Sequence, residues 1–120
     1  MEKIMKEIFI LEDDEGIREL TQLLLENEGY DVCSFATAEN FHLKLKQVIP
    51  DLFLIDIRLP DGDGREICRE LRRNEKTAHL PIILMSANST PDKSTGADDF
   101  IPKPFDIDEF LGRIRTRLLV

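Results

Sequence analysis

An α/β protein of the doubly wound kind is what this sequence predicts: five strands in a parallel sheet, with helices on both faces. Three observations carry that reading. Short apolar runs alternate with segments whose apolar residues recur every three or four positions, and such alternation implies βαβ units. The first, third and fourth runs are apolar on consecutive residues, as strands covered on both faces require. The chain has 120 residues, 42% hydrophobic and 33% charged, which suits one domain with one packed sheet.

Ile8–Leu11 is rich in β-formers and reads as the first strand. Ile17, Leu20 and Leu24 then recur at helical spacing, and Gly29 ends that pattern. Tyr30–Phe35 is the second strand. Ala38, Phe41, Leu45 and Val48 form a helical stripe that stops before Pro50. Leu52–Ile55 is the third strand and is wholly apolar. Asp63 is placed to cap a helix running through Ile67 and Leu71. Pro81 leads into the fourth strand, Ile82–Met85, and Phe100 and Ile101 sit in a short fifth. Ile107, Phe110, Leu111, Ile114 and Leu118 complete an amphipathic last helix.

Composition excludes several function classes. Lys plus Arg number 16 against 24 Asp plus Glu, a net charge of −8. So acidic a chain repels phosphate backbones and is not expected to bind nucleic acid directly. No apolar run approaches a membrane span, and Met1–Glu7 lacks an apolar signal core. Cys33 and Cys68 are expected to be buried, reduced thiols of a cytoplasmic protein.

In doubly wound sheets, ligands bind beyond the carboxyl ends of the strands. Strand one runs into Glu12-Asp13-Asp14-Glu15, strand three ends at Asp56, strand four at Ser86, and strand five leads to Lys103. Asp14 and Glu15 are satisfied as turn residues. Asp56 is not, because it stands between Leu52-Phe53-Leu54-Ile55 and Ile57. A carboxylate so placed is costly unless it is paired or metal-bound. Clustered carboxylates repel one another, and a hard divalent cation such as Mg²⁺ relieves the repulsion with few protein oxygens. A carboxylate beside a metal and an ammonium also suits phosphoryl transfer: the carboxylate attacks phosphorus while the positive charges neutralise the equatorial oxygens. Lys103 supplies the ammonium and Ser86 a hydroxyl.

At these residues the chain resembles the receiver domain of two-component response regulators, over residues 1–120. Ile10-Leu11-Glu12-Asp13 is similar to the acid-pair motif. Leu54 through Gly64, with Asp56, Pro60 and Asp61-Gly62, is similar to the phosphoacceptor motif. Met85-Ser86-Ala87 matches the hydroxyl motif, and Gly96 through Phe105 matches the strand-five motif ending in Lys103-Pro104-Phe105. The resemblance implies a flavodoxin-like receiver fold of strand order 2-1-3-4-5. It implies that Asp56 accepts phosphate from a histidine kinase or a phosphotransfer protein. Asp13, Asp56 and the carbonyl of Arg58 would bind Mg²⁺, with Glu12 acting through a metal-bound water. An Asp13–Asp14 register is the alternative; Glu12–Asp13 places Ile17-Arg18-Glu19-Leu20 where the family's first helix has it. Ser86 and Lys103 would hold phosphoryl oxygens, and Ser86 with Phe100 would form the switch pair. The Lys103–Pro104 bond is expected to be cis. The first helix near Ile17, Thr21 and Leu24 is the implied kinase-docking face.

The sequence departs from the family between Ser86 and Lys103. These residues lie 17 positions apart, about five fewer than the resemblance implies, which exceeds one helical turn of ~3.6 residues. Asn88–Gly96 contains no apolar stripe. A loop or a single turn is therefore expected in place of the family's fourth helix. Asp98, Asp99 and Arg115 resemble the charged pairs by which many receivers dimerise, and the resemblance implies a homodimer through them, on a face from which the shortened segment removes the fourth helix. Its loss is expected either to uncover Ile82–Met85 and strand five or to leave a loop folded over the gap. Asp61-Gly62-Asp63-Gly64 fails as a calcium loop, because Arg65 and Glu66 stand where ligands and glycine are needed. His42 and His79 are isolated, and Arg65, Arg69, Arg72 and Arg73 read as a solvated helix face. No output domain is read in the chain. No enzyme acting on a separate substrate is expected; the two competing readings are a phosphorylatable receiver and a phosphorylation-independent interaction module of the same fold.

Overall fold

The computed structural model describes residues 5–87 and 92–119. The stretch 88–91, where the loop was expected to begin, lies outside them, as do 1–4 and Val120. Five strands form the sheet: β1 (Glu7–Leu11), β2 (Asp31–Phe35), β3 (Leu52–Asp56), β4 (Ile82–Ser86) and β5 (Asp99–Pro102). They are all parallel, in the expected order β2-β1-β3-β4-β5. Four helices cover them: α1 (Glu15–Asn27), α2 (Ala38–Leu45), α3 (Gly64–Arg73) and α4 (Ile107–Leu118). A short antiparallel hairpin, Arg58–Leu59 with Gly62–Asp63, joins β3 to α3.

Alternation along each strand sorts the core into two layers. Phe9, Leu11, Phe53, Ile55, Ile82 and Leu84 face α2 and α3, meeting Phe41, Ile67, Cys68 and Leu71. Ile8, Ile10, Leu52, Leu54, Ile83 and Met85 face the other way, against Leu25, Phe110 and Ile114. Side chains two apart share a face of a strand, so an unbroken apolar run fills both layers. Phe9 sits at the centre of the first layer, edge-on to Phe35, Phe41 and Phe53 at 5.2–6.2 Å.

Each helix starts at a capping oxygen. Asp14, Thr37, Asp63 and Asp106 accept from the amides of Ile17, Asn40, Arg65 and Glu109 at 2.8–3.2 Å. These bonds satisfy first-turn donors that have no partner inside the helix. Helix α1 ends as expected near Gly29, which adopts φ 93°, a left-handed conformation that only glycine takes without strain.

Several expectations change. The buried face of α1 is Thr21 and Leu25, whereas Leu20 is 44% exposed. The stripe through Leu20 was out of phase because polar Thr21 packs inward with its hydroxyl donating to the carbonyls of Ile17 and Arg18. Helix α2 stops at Leu45, so Val48 packs on the core from the following turn. Cys68 is buried but Cys33 only half-buried. Arg72 does not lie on a solvated face. Its guanidinium donates to the carbonyls of Gly96, Ala78 and Leu80 and pairs with Asp98 at 2.8 Å.

After β4 the described residues hold one 3₁₀ turn, Lys93–Thr95, where the resemblance implied a full helix. Ile82–Met85 nevertheless stays buried. Buried Thr95 and half-buried Ala97 cover that side, tied to α3 through Arg72. Among the described residues no helix is long and apolar enough to cross a membrane.

A candidate phosphoacceptor site at the strand ends

Strand register alone brings the candidate residues together. Leu11 pairs with Ile55, Asp56 with Met85, and Ser86 with Pro102. The next residue along β1 is therefore Glu12 and the next along β5 is Lys103, both on the rim that Asp56 and Ser86 occupy. The amide of Lys103 donates to the carbonyl of Ser86 at 3.0 Å. The Lys103–Pro104 bond is cis, as expected.

The carboxylate oxygens of Glu12, Asp13 and Asp56 lie within 4.8 Å of one another. Glu12 is fully buried, Asp56 is 6% exposed, and Asp13 is open to solvent. Lys103 Nζ donates to Asp56 Oδ2 at 3.0 Å and also to Glu12 Oε1. One ammonium thus faces two of three acids and leaves an excess of negative charge. Burial pushes the Glu12 carboxyl up, from 4.5 to about 7; Lys103 opposes the rise and Asp56 adds to it. Burial disfavours the Lys103 ammonium too, but its bonds to Glu12 and Asp56 outweigh that and hold its pKa above the ordinary value.

Asp13 and Asp14 are now distinct. Asp14 is occupied as the cap of α1, and its amide donates to Glu12 Oε2 at 3.1 Å. The acids that converge on Asp56 are Glu12 and Asp13. Arg18 donates from one guanidinium nitrogen to the carbonyls of Glu12 and Asp13, at 2.9 and 3.2 Å. The Arg58 amide lies 3.4 Å from Asp56 Oδ1, so Arg58 borders the cluster.

Gly64 is required at the foot of this site. A Cβ there would stand 2.2 Å from the Asp56 carbonyl oxygen. The start of α3 can approach β3 so closely only without a side chain. The Gly64 amide donates to Ile57 at 2.8 Å and closes the turn. Asp61, set aside as a calcium ligand, instead accepts from the amides of Ala38 and Glu39 and caps α2 from across the chain. Nothing in the order of residues signals that role, because the two segments are 23 positions apart.

Phe100 is half-buried against Leu84 on β4, beside a groove of about 730 Å³ that Ile57, Pro102 and Arg113 also line. Asp98 and Asp99 line that same groove, whereas Arg115 does not. The three pair within the chain with Arg72, Arg113 and Glu28, at 2.8, 2.8 and 3.0 Å. On the implied docking face Thr21 is buried, and the exposed apolar residues of α1 are Leu20 and Leu23. His42 bridges α2 and α3, with Nδ1 2.8 Å from the Ala38 carbonyl and Nε2 3.4 Å from Glu70. Burial pushes both cysteine thiols above their ordinary range, away from nucleophile chemistry.

A parallel five-stranded sheet carrying three carboxylates and a lysine on its carboxyl rim belongs to the class of doubly wound domains whose sites lie beyond the strand ends. Comparison with known proteins makes the class specific. The response regulator receiver domain family matches residues 8–115, and the chain belongs to it. It is 39% identical over 119 residues, 95% of this chain, to the DNA-binding dual master transcriptional regulator RpaA of Synechocystis, of which the match covers 49%. The chain thus spans about half the length of the curated relatives it matches. Among solved structures it superposes on a putative response regulator from Chloroflexus aurantiacus with a TM-score of 0.90 at 28% identity, covering 97% of this chain and 99% of that one. It superposes on response regulator TrrA of Thermotoga maritima, in complex with Mg²⁺-BeF, with a TM-score of 0.85 at 32% identity, over 95% and 100%.

Proposed function

We propose that this chain is a working phosphoacceptor: Asp56 takes a phosphoryl group from a histidine kinase or a phosphotransfer protein. The observation that carries the reading is the convergence of Glu12, Asp13 and Asp56 with the Lys103 ammonium on Asp56. The three carboxylates are hard oxygen donors with one cation between them, a set that fits Mg²⁺ with several retained waters. Asp13, Asp56 and the Arg58 carbonyl would hold the ion, with Glu12 acting through a water; bound there, it supplies positive charge against the equatorial phosphoryl oxygens.

The chain's own groups do the rest. An Asp56 carboxylate oxygen bonds to phosphorus as the bond from phosphorus to the donor's imidazole nitrogen breaks, and the electron pair leaves with that nitrogen. Lys103 holds Asp56 from the β5 side before the reaction and moves its bond to a phosphoryl oxygen as charge develops there. Ser86 donates its hydroxyl to another oxygen. That movement of Ser86 draws on Phe100, which carries the change to the β4–β5 face and on to a downstream partner or domain. Phe100 has no hydroxyl, so its two positions differ in packing alone. The setting we assign is cytoplasmic.

The test is intact mass after incubation with Mg²⁺ and a small phosphodonor, with Asp56→Asn beside it. A single phosphoryl adduct that needs both Mg²⁺ and Asp56 supports the proposal. The second reading, a phosphorylation-independent interaction module, draws on the 3₁₀ turn Lys93–Thr95, the one turn of helix among the described residues between β4 and β5. No adduct on a folded, promptly sampled chain would leave that reading in place.

A further inference from the structure

We infer that Arg18 is a positioning residue for the acid pair, and that it sets the affinity of the site for a divalent cation by holding the backbone of Glu12 and Asp13. The inference rests on the phosphoacceptor reading and concerns how that site is kept in shape.

Asp13 is the acid of the cluster that its surroundings hold least. It is exposed, whereas Glu12 is buried and bonded to Lys103 and to the Asp14 amide. Among the described residues the Asp13 carboxylate makes no hydrogen bond within the chain. Its direction is therefore set by its own main chain. That main chain leaves β1 at Leu11 and enters α1 at Glu15, so residues 12–14 have no ladder partner beyond the bond from the Glu12 amide to the Phe35 carbonyl at 3.0 Å.

Arg18 supplies the missing ties. It lies in the first turns of α1, with its amide bonded to the Asp14 carbonyl at 2.9 Å. Its side chain folds back towards the start of the helix, and Nη1 donates to both carbonyls of the pair. Glu15 and Glu19 stand nearby in the sequence, yet Arg18 makes no ion pair with either among the described residues. The cation thus sits behind the acids, bonded to their peptide groups. This is the arrangement of an outer layer that orients metal ligands, where loss of one partner typically weakens metal binding 10- to 100-fold.

A bare positive charge in that place would do the opposite. It would repel a divalent cation, and its removal would tighten binding. The sign of the change therefore separates positioning from charge. Mg²⁺ affinity can be followed by amide chemical-shift titration of the unsubstituted chain, Asp13→Asn, Arg18→Ala and Arg18→Lys. Melting in magnesium-free buffer reports whether each variant folds. Lysine keeps the charge and a multiple donor but with a shorter reach, so Arg18→Lys tests the placement of the donor at constant charge.

We expect Asp13→Asn to lose most of its affinity and Arg18→Ala to weaken it by about tenfold or more. Arg18→Lys should fall between the unsubstituted chain and Arg18→Ala. Unchanged or tighter binding in Arg18→Ala would overturn the inference. Should Arg18→Ala fail to fold, Arg18→Met, which keeps the stem and removes the donors, takes its place, and unchanged or tighter binding there overturns it equally. Absence of Mg²⁺ binding by the unsubstituted chain would remove the phosphoacceptor reading and this inference with it.

Discussion

Glu12 lies wholly buried between Lys103 and the carboxylate of Asp56, and it keeps its proton up to about 7 instead of the usual 4.5. An acid whose pKa is raised on folding binds its proton more tightly in the folded state. Its contribution to stability is complete below 4.5 and is lost as pH rises through about 7. In magnesium-free buffer the melting temperature should therefore decline across that window, and Glu12→Gln should flatten this part of the profile. A profile that Glu12→Gln leaves unchanged would remove Glu12 as its source. Gly64 offers a second test. A methyl there meets backbone, which has less room to move than a side chain. Gly64→Ala is expected to cost about 1–3 kcal/mol or more in urea unfolding and to slow phosphorylation of Asp56, whose carbonyl must shift.

Helix α2 shows how an element can depend on a residue far from it in the chain. Thr37 caps it locally, but the amides of Ala38 and Glu39 are satisfied by Asp61, which sits in the turn of the hairpin between β3 and α3. Those two bonds hold the Asp61 carboxyl below its ordinary 3.8. A carboxylate depressed on folding stabilises fully above its unfolded value and loses that contribution as pH falls through the lower folded one. Asp61→Ala should therefore melt at a lower temperature than the unsubstituted chain at neutral pH, and the gap should close in acid below 3.8. Thermal melts of both chains across that range check it; a gap that persists in acid would mean the carboxylate charge is not its cause. The same hairpin turn thus ties α2 to the end of the strand that bears Asp56.

Across the molecule, the shortened connection after β4 raises the question of what replaces a helix. Part of the answer is Arg72. Three main-chain carbonyls from two separate segments and the Asp98 carboxylate converge on its guanidinium. Asp98 in turn accepts from the Ile82 amide at 2.8 Å, so the contact reaches the start of β4. Arg113 and Arg117 hold the same stretch from the opposite layer, through Asp99, the Phe100 carbonyl and the Asp98 carbonyl. Arg72→Met should cost about 1–3 kcal/mol by urea unfolding, because the carbonyls lose a charge-assisted donor. It should also speed amide exchange at Ala97 and Asp98 ahead of the rest of the sheet. Uniform exchange with no local effect would count against a bracing role. Engagement of Asp98 and Asp99 inside the chain also bears on assembly. A dimer joined through these acids would first have to break their bonds to Arg72 and Arg113.

Much of this protein was legible in one dimension. Consecutive apolar residues in Ile8–Leu11, Leu52–Ile55 and Ile82–Met85 determine a sheet covered on both faces. Acids and a lysine just past those runs determine where its chemistry lies, since a charge beside so many apolar residues needs a reason. The cap at Asp63 follows from a local rule, because a helix's first amides lie within reach of the residue that precedes them. Tertiary structure alone decided the rest. It placed Thr21 inward and Leu20 outward on α1, since a helical stripe of mixed polarity does not reveal its own phase. It turned Arg72 from a surface charge into a brace, and sent Asp61 to a helix 23 positions away. For Arg72 and Asp61 the deciding partners are more than twenty positions away, and hydrogen bonds and burial depend on distance in space.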